Sequence, residues 1–464
     1  MTSVSAHLAE HATLPRQESS NPPLQVVDVD HRPARADRLV LFLTIALLLF
    51  GPLAFGAVEA WSTFVIEAGA VFLLLGWVLH QCYAGRLAIV VNPLFAPMLV
   101  FAALILAQLL AGNSVYREPT LRSTLLYLAY GVMCFLVVQC LNHTSYVRHL
   151  TVTFIAYGAM VATFALLQGL SSNGKLYWFG AAQSGGWIYG PYINHNHYAG
   201  LMELLLPVAL VFALSRHARG SRKMLAIIAA SLMACTILLS GSRGGMLAFG
   251  FQLLLLFWFS ANGRRERSTY FAVGAFIFIV VAALAWIGGE GLITRVASLR
   301  AEAHSEISGG TRLQIDRDTL RMFAQRPLMG WGLGEFASAY PRFRSFHSEF
   351  RVNAAHNDYL QFLAETGMLG FLTLLWFLLT VYRSAFKKTS HWQKDINGAL
   401  AVAMILSISG LLLHSLVDFN LQIPANAALF YVFCTMAAMP ARFHTRQQRR
   451  PMADSSEIVG NQGN

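Results

Sequence analysis

Apolar runs of about twenty residues recur along most of this chain, and they constrain its fold more than any other feature. A window of about 19 residues picks out about twelve of them: 38–57, 61–80, 93–112, 122–141, 149–170, 196–215, 223–240, 244–260, 269–289, 366–382, 396–416 and 422–440. Runs this long and uniformly apolar suit membrane-crossing helices, which satisfy every backbone group internally, and not barrel strands. Only 12% of the residues are charged, against about a quarter in a soluble domain. The expected fold is therefore an all-α polytopic membrane protein of about 12 transmembrane helices. Residues 1–36 and 446–464 read as disordered cytoplasmic tails flanking a membrane domain, 37–445. A signal peptide carries its apolar core nearer the start, so the first span is expected to be retained. Cys82, Cys134, Cys140, Cys235 and Cys434 form no CxxC pair, which argues against a disulfide framework and a zinc site.

Charge sorts the loops into two sets. One holds Arg86, Arg148, Arg216, Arg219, Arg222, Lys223, Arg264, Arg265, Arg267, Arg383, Lys387, Lys388 and Lys394, together with both tails. The alternate short loops hold little beyond Arg117, Arg122, Lys175 and Arg243. The basic set is expected to face the cytoplasm. The formal net charge of +11 is then an orientation signal, and no nucleic-acid partner is inferred. A long hydrophilic loop, about 290–357, falls on the opposite face between spans nine and ten, and it exceeds the length at which loop charge sets topology.

Four polar stretches meet on that outer face: GPYINHNHYAG (190–200), LLSGSRGGM (238–246), GGTRLQIDRDTLRMFAQRPLMGWGLGEF (309–336) and AAHNDYLQFLAETG (354–367). Each has a plain structural explanation. Asn194 or Asn196 can cap a helix, Arg243 can snorkel to the interface, and Arg312, Asp316 and Arg317 can belong to a solvated helix face. Convergence of segments remote in sequence is what points to a site. Several look-alikes fall away. GLSSNGKL (169–176) ends in leucine where a P-loop needs Ser or Thr. The Asp28/Asp30 and Asp316/Asp318 pairs are spaced so that, on a helix, they point to different sides.

The motifs NHNHYAG, SGSRGG, PLMGWGLGEF and HNDYLQFLAETG stand here in the order and spacing of the O-antigen ligase and O-antigen polymerase superfamily of bacterial envelope glycan enzymes. The sequence resembles that superfamily over about residues 185–380. The resemblance implies a GT-C-like membrane fold in the bacterial inner membrane. It implies metal-independent, inverting transfer of a glycan from undecaprenyl pyrophosphate to an acceptor hydroxyl at the periplasmic face, with no cofactor. The partners would be the lipid-linked glycan donor, a glycan or lipid A-core acceptor, and membrane lipid. By the same resemblance, Arg243 and Arg312 correspond to the pyrophosphate-binding arginines and His356 to the general base. Asn194, Asn196, Asn357, Asp358 and Glu365 are expected to support the site, with Asp358 or Glu365 orienting the His356 ring. His414 and Asp418, one helical turn apart, form a candidate outer ring of support.

The residue types suit that chemistry. A pyrophosphate-linked sugar is already activated, so the requirement is positive charge over the departing phosphates, which guanidinium supplies as a permanent bidentate fork. The acceptor hydroxyl must lose a proton, which calls for an imidazole. A repeat-unit polymerase shares this donor chemistry and remains the alternative. A transporter or flippase fits less well, because no two-half repeat is evident and the ionisable groups lie at one face instead of mid-bilayer.

Overall fold

The computed structural model describes residues 35–85, 89–112, 114, 116–171, 173–180, 190–261, 267–288, 309–347, 351–441 and 443. Regular structure among them is helical. Twelve long helices account for the twelve apolar runs. They are α1 (Arg35–Leu53), α2 (Ala60–Tyr83), α3 (Phe95–Leu110), α4 (Arg117–Cys140), α5 (Thr144–Leu170), α6 (His195–Leu214), α7 (Ser221–Leu239), α8 (Arg243–Ala261), α9 (Arg267–Gly288), α12 (Asp358–Phe386), α13 (Ile396–His414) and α14 (Pro424–Ala438). Between α9 and α12 lie α10 (Gly309–Gln325) and the single turn α11 (Phe336–Ala339). Nine of the described helices are long and apolar enough to cross a membrane, and Phe95–Leu110, Val273–Ala282 and Pro424–Ala438 are shorter apolar stretches. The protein is a multi-pass, all-α membrane protein. The expected tails lie outside the described residues apart from Arg35 and Ala36, which open α1, and so do residues 290–308 of the long loop.

Several helices begin before their apolar window. α4 starts at Arg117, in a polar first turn, and α12 at Asp358, where Asn357 caps the first turn, so each helix extends past its apolar stretch. α12 is in fact two helices. Gly367 takes φ +67° and ψ −170°, and a Cβ there would collide with the carbonyl of Leu328. Only glycine fits that approach.

The centre of the bundle is α6 packed against α7, α13, α5 and α8. Nearly all of α6 and α13 is buried. Lipid tails are as apolar as leucine, so polar side chains tie such helices together. Gln252 Nε2 on α8 donates to the carbonyls of Glu203 (2.8 Å) and Leu406 (3.1 Å), stapling α6 to α13. Ser407 Oγ closes the same seam on Leu204 O at 2.6 Å. Peripheral helices instead turn Phe72, Leu79, Leu99, Leu254 and Phe278 outward, toward lipid.

The long loop has its own small core of Ile315, Met322, Trp331, Phe336, Ala339, Tyr340, Val352, Ala355 and Ala364. Trp331 Nε1 donates to Met322 O at 2.7 Å, and the Arg326 guanidinium lies 4.2 Å over the Trp331 ring. Asp318 is fully buried and accepts from Ser345 N (2.9 Å) and Ser345 Oγ (3.0 Å), so this aspartate closes the loop. Residues 327–336 then run as a strap across the break in α12. Met368 N donates to Pro327 O, Trp331 N to Ala364 O and Gly332 N to Glu365 O, at 2.8, 3.1 and 2.9 Å. The strap is fastened on its far side by Gln108 of α3, which donates to Met329 O and Glu365 O and accepts from Leu333 N.

Candidate active site

Four elements converge at one end of the bundle: the starts of α6, α8 and α12, and the connection from α13 to α14. Alternation along the chain puts these ends on one face, and their contacts confirm it. The hub is the connection His414–Phe419. Asp418 in that loop is buried, and three imidazoles surround its carboxylate. His356 Nδ1 lies 3.7 Å from Oδ1, His197 Nε2 3.9 Å from Oδ1, and His414 Nε2 4.0 Å from Oδ2. Burial alone would raise the Asp418 carboxyl, but His356, His197 and His414 outweigh it and hold the group well below the ordinary carboxylate range.

Phe419 is wedged between two of these rings. Its centroid is 4.9 Å from His356 and 4.6 Å from His197, edge-on to both. His356 has φ +54°, a conformation that costs a non-glycine residue of order 1 kcal/mol or more and persists only where its surroundings fix it. Its neighbours are tied on both sides. Ala355 N donates to Gln361 Oε1 at 3.0 Å, and Asp358 N to Ser415 O at 2.9 Å. Asn357 caps α12 by accepting from Tyr359 N and Leu360 N at 3.1 and 3.2 Å. With 18% of its side chain exposed, His356 is the most open of the three imidazoles, while His197 and His414 are sealed in.

Arg312 and the turn that carries Arg243 reach the same hub. Arg312 Nη1 donates to Val417 O at 3.2 Å, beside Asp418. Asp316, one turn further along α10, sits above its ordinary pKa because burial outweighs the opposing pull of His356 and Arg312. Arg243 is exposed at the first position of α8. Its neighbour Gly244 presses on the hub: a Cβ there would lie 2.6 Å from His414 Nε2 and 3.1 Å from Val417 Cγ2. Without Gly244 the arginine turn could not approach the histidine ring.

Other expected site residues have structural tasks here. Asn194 caps α6, accepting from Asn196 N at 2.8 Å, and Asn196 is buried in that first turn. The two carboxylates expected to orient His356 are engaged elsewhere. Asp358 Oδ2 accepts from Leu421 N at 2.9 Å and holds the α13–α14 connection. Glu365 Oε2 and Oε1 accept from Gly334 N (2.9 Å) and Phe336 N (3.1 Å), anchoring the strap. The carboxylate that faces the His356 ring is Asp418. His197 and Glu203 were not singled out from the sequence. His197 stands in the polar NHNHYAG stretch, and Glu203 is a lone carboxylate within an apolar run, a recognised sign of function in membrane helices.

Fold and site together define a polytopic membrane protein whose imidazole, carboxylate and guanidinium groups gather at one end of its helices, where lipid meets water. Residues 228–375 match the family described as O-antigen ligase, which supports membership of the chain in the O-antigen ligase/polymerase superfamily and glycan transfer of that general type. The matched segment contains Arg243, Arg312 and His356, whereas His197, His414 and Asp418 lie outside it. No curated protein matches the chain.

Proposed function

We propose that the protein is a metal-independent, inverting glycan transferase of the ligase type. It moves a glycan from an undecaprenyl-pyrophosphate-linked donor to an acceptor hydroxyl at the periplasmic face of the bacterial inner membrane. The supporting observation is that the Arg243 turn, Arg312 and His356 converge on the single loop His414–Phe419.

In this reading His356 turns Nδ1 toward Asp418 and leaves Nε2 to accept the acceptor's proton. The acceptor oxygen attacks the anomeric carbon as the bond to the pyrophosphate oxygen breaks, and the electron pair leaves with the lipid pyrophosphate. Arg243 and Arg312 neutralise the charge that builds there, the kind of preorganised interaction worth roughly 3–4 kcal/mol per donor in well-measured enzymes. Asp418 stabilises the imidazolium as it forms. An apolar cavity of about 780 Å³ supports the lipid half of the reading. It lies among α3, α4, α12 and α14, with Leu333 of the strap and Phe362 at its wall, and is suited to a polyprenyl chain.

The test supplies the purified protein, in lipid nanodiscs, with a lipid-linked glycan and, separately, a lipid A-core acceptor. One-step capping of the acceptor is the expected result. Chain extension in the absence of acceptor assigns the protein as a polymerase, and no transfer under either condition refutes both readings.

A further inference from the structure

Glu203 lies two turns into α6, fully buried in a helix that is otherwise apolar from Tyr198 to Leu214. A carboxylate placed so deep in a membrane bundle is costly and marks function by default. Its Oε1 is 2.8 Å from His414 Nδ1, while Oε2 has no hydrogen-bond partner among the described residues. The carboxylate accepts, so His414 donates from Nδ1, and this bond fixes the ring plane. The same ring turns Nε2 toward Asp418 Oδ2 at 4.0 Å, and Asp418 faces His356 through its other oxygen at 3.7 Å. A line of alternating groups results: Glu203, His414, Asp418, His356.

The inner end of that line is rigid. Gln252 Nε2 holds the Glu203 carbonyl, and Ser407 closes the neighbouring turn of α6 against α13. Gly245 of the arginine turn packs on the same carboxylate, with a Cβ there falling 3.2 Å from Glu203 Oε1. The outer end carries the partly exposed base. A carboxylate that must stabilise a passing imidazolium needs a support that does not move with it, and partners one step removed from a reacting group set its orientation.

We propose that Glu203 and His414 are positioning residues: Glu203 locks the His414 ring, the ring locks Asp418, and Asp418 aims the His356 base. This rests on the transferase reading of the site. Neither residue needs to touch substrate. Replacing Glu203 by glutamine keeps its volume, so the packing of Gly245 and the binding of the donor are spared while the charge that fixes the ring is lost.

The experiment measures kcat, KM for donor and acceptor, and Tm of the full-length protein in nanodiscs carrying Glu203→Gln, Glu203→Ala or His414→Ala. The expected result is a kcat lowered roughly 10-fold to 100-fold, the range for such outer partners, with Glu203→Gln the mildest. Both KM values stay within about threefold, and the Tm of Glu203→Gln stays close to that of the unmodified protein. Unchanged kcat in Glu203→Gln or in His414→Ala overturns the proposal. So does a loss of kcat that comes only with a matching rise in KM and fall in Tm, which is the signature of a packing role. Should Glu203→Gln fail to fold, His414→Asn, which keeps a donor near the Nδ1 position, carries the same expectation. An unmodified protein that transfers nothing overturns the transferase reading and this proposal together, whereas an active one with unaffected variants overturns the proposal alone.

Discussion

Asp418→Asn removes one negative charge from the centre of the site and changes almost no volume. The carboxylate lies 3.7 Å from His356 Nδ1. Two unit charges at that distance interact by about 4 kcal/mol at the effective dielectric constant of about 20 that suits protein sites. His356 keeps 18% of its side chain exposed, so water screens part of this. A working value of about 2–4 kcal/mol remains for the imidazolium that forms as the acceptor loses its proton. At 1.36 kcal/mol per tenfold, kcat falls by roughly 30-fold to 1000-fold. The amide also removes the carboxylate that His356 shares with His197 and His414, so the His356 ring loses a fixed partner as well as its counter-charge. The assay is single-turnover transfer from a fluorescent lipid-linked glycan, with donor affinity measured separately in the absence of acceptor. Donor affinity should change by less than about threefold, because the phosphates answer to the arginines. A variant with near-normal turnover, or one whose defect lies wholly in donor affinity, refutes the pairing of Asp418 with His356.

His356→Ala should abolish transfer while the protein stays folded in the membrane, and a near-normal rate removes it as the base. Arg243→Lys keeps the charge and loses the fork; kcat/KM should drop at least about tenfold in the transfer assay, and an indifferent result favours an interfacial arginine that merely snorkels. Gly367→Ala forces a side chain into φ +67° against the Leu328 carbonyl, so it should cost of order 1–3 kcal/mol and show as a lowered Tm and easier proteolysis of the strap. Chelation by EDTA should leave transfer unchanged, and activity lost in chelator and restored by added metal contradicts the metal-free chemistry.

The apolar helices were legible because hydropathy is a sum over some twenty residues, and single exceptions do not erase it, although only nine of the described helices are long and apolar enough to cross a membrane. Glu203 shows the cost of that robustness. One carboxylate barely lowers the mean of its window, so the residue that most needs explaining was averaged away. Caps were legible too, since Asn194 and Asn357 stand directly before apolar helices and use their side chains in the first turn. What the pattern did not reveal was direction. Glu365 and Asp358 lie within nine residues of His356 along the chain, yet the break at Gly367 and the arriving strap draw Glu365 toward Gly334 and Phe336. The carboxylate that faces the base comes from 62 residues away, at a helix–helix connection, because His356 at φ +54° turns out of the helix it precedes. Spacing along one strand of sequence cannot express that turn.

The geometry also explains why so many motifs in this chain are glycine-rich and remote from each other. A donor that is part lipid, part pyrophosphate and part sugar spans three environments, so its site has to be assembled at helix ends. Among the described helices none supplies both guanidinium and imidazole to this loop. The connection between α13 and α14 solves this by offering one short backbone segment for three approaches. Arg312 docks on its Val417 carbonyl, His356 on its Asp418 carboxylate, and the Arg243 turn on its His414 ring through Gly244. The Arg243 turn depends on the small Gly244 and His356 on its φ of +54°, and the three groups come to the loop from different segments. Shifting that loop's backbone therefore moves the base and both arginine-bearing segments at once, so an insertion in the connection should disturb donor binding and proton removal together, where a side-chain change such as Asp418→Asn disturbs only its own step.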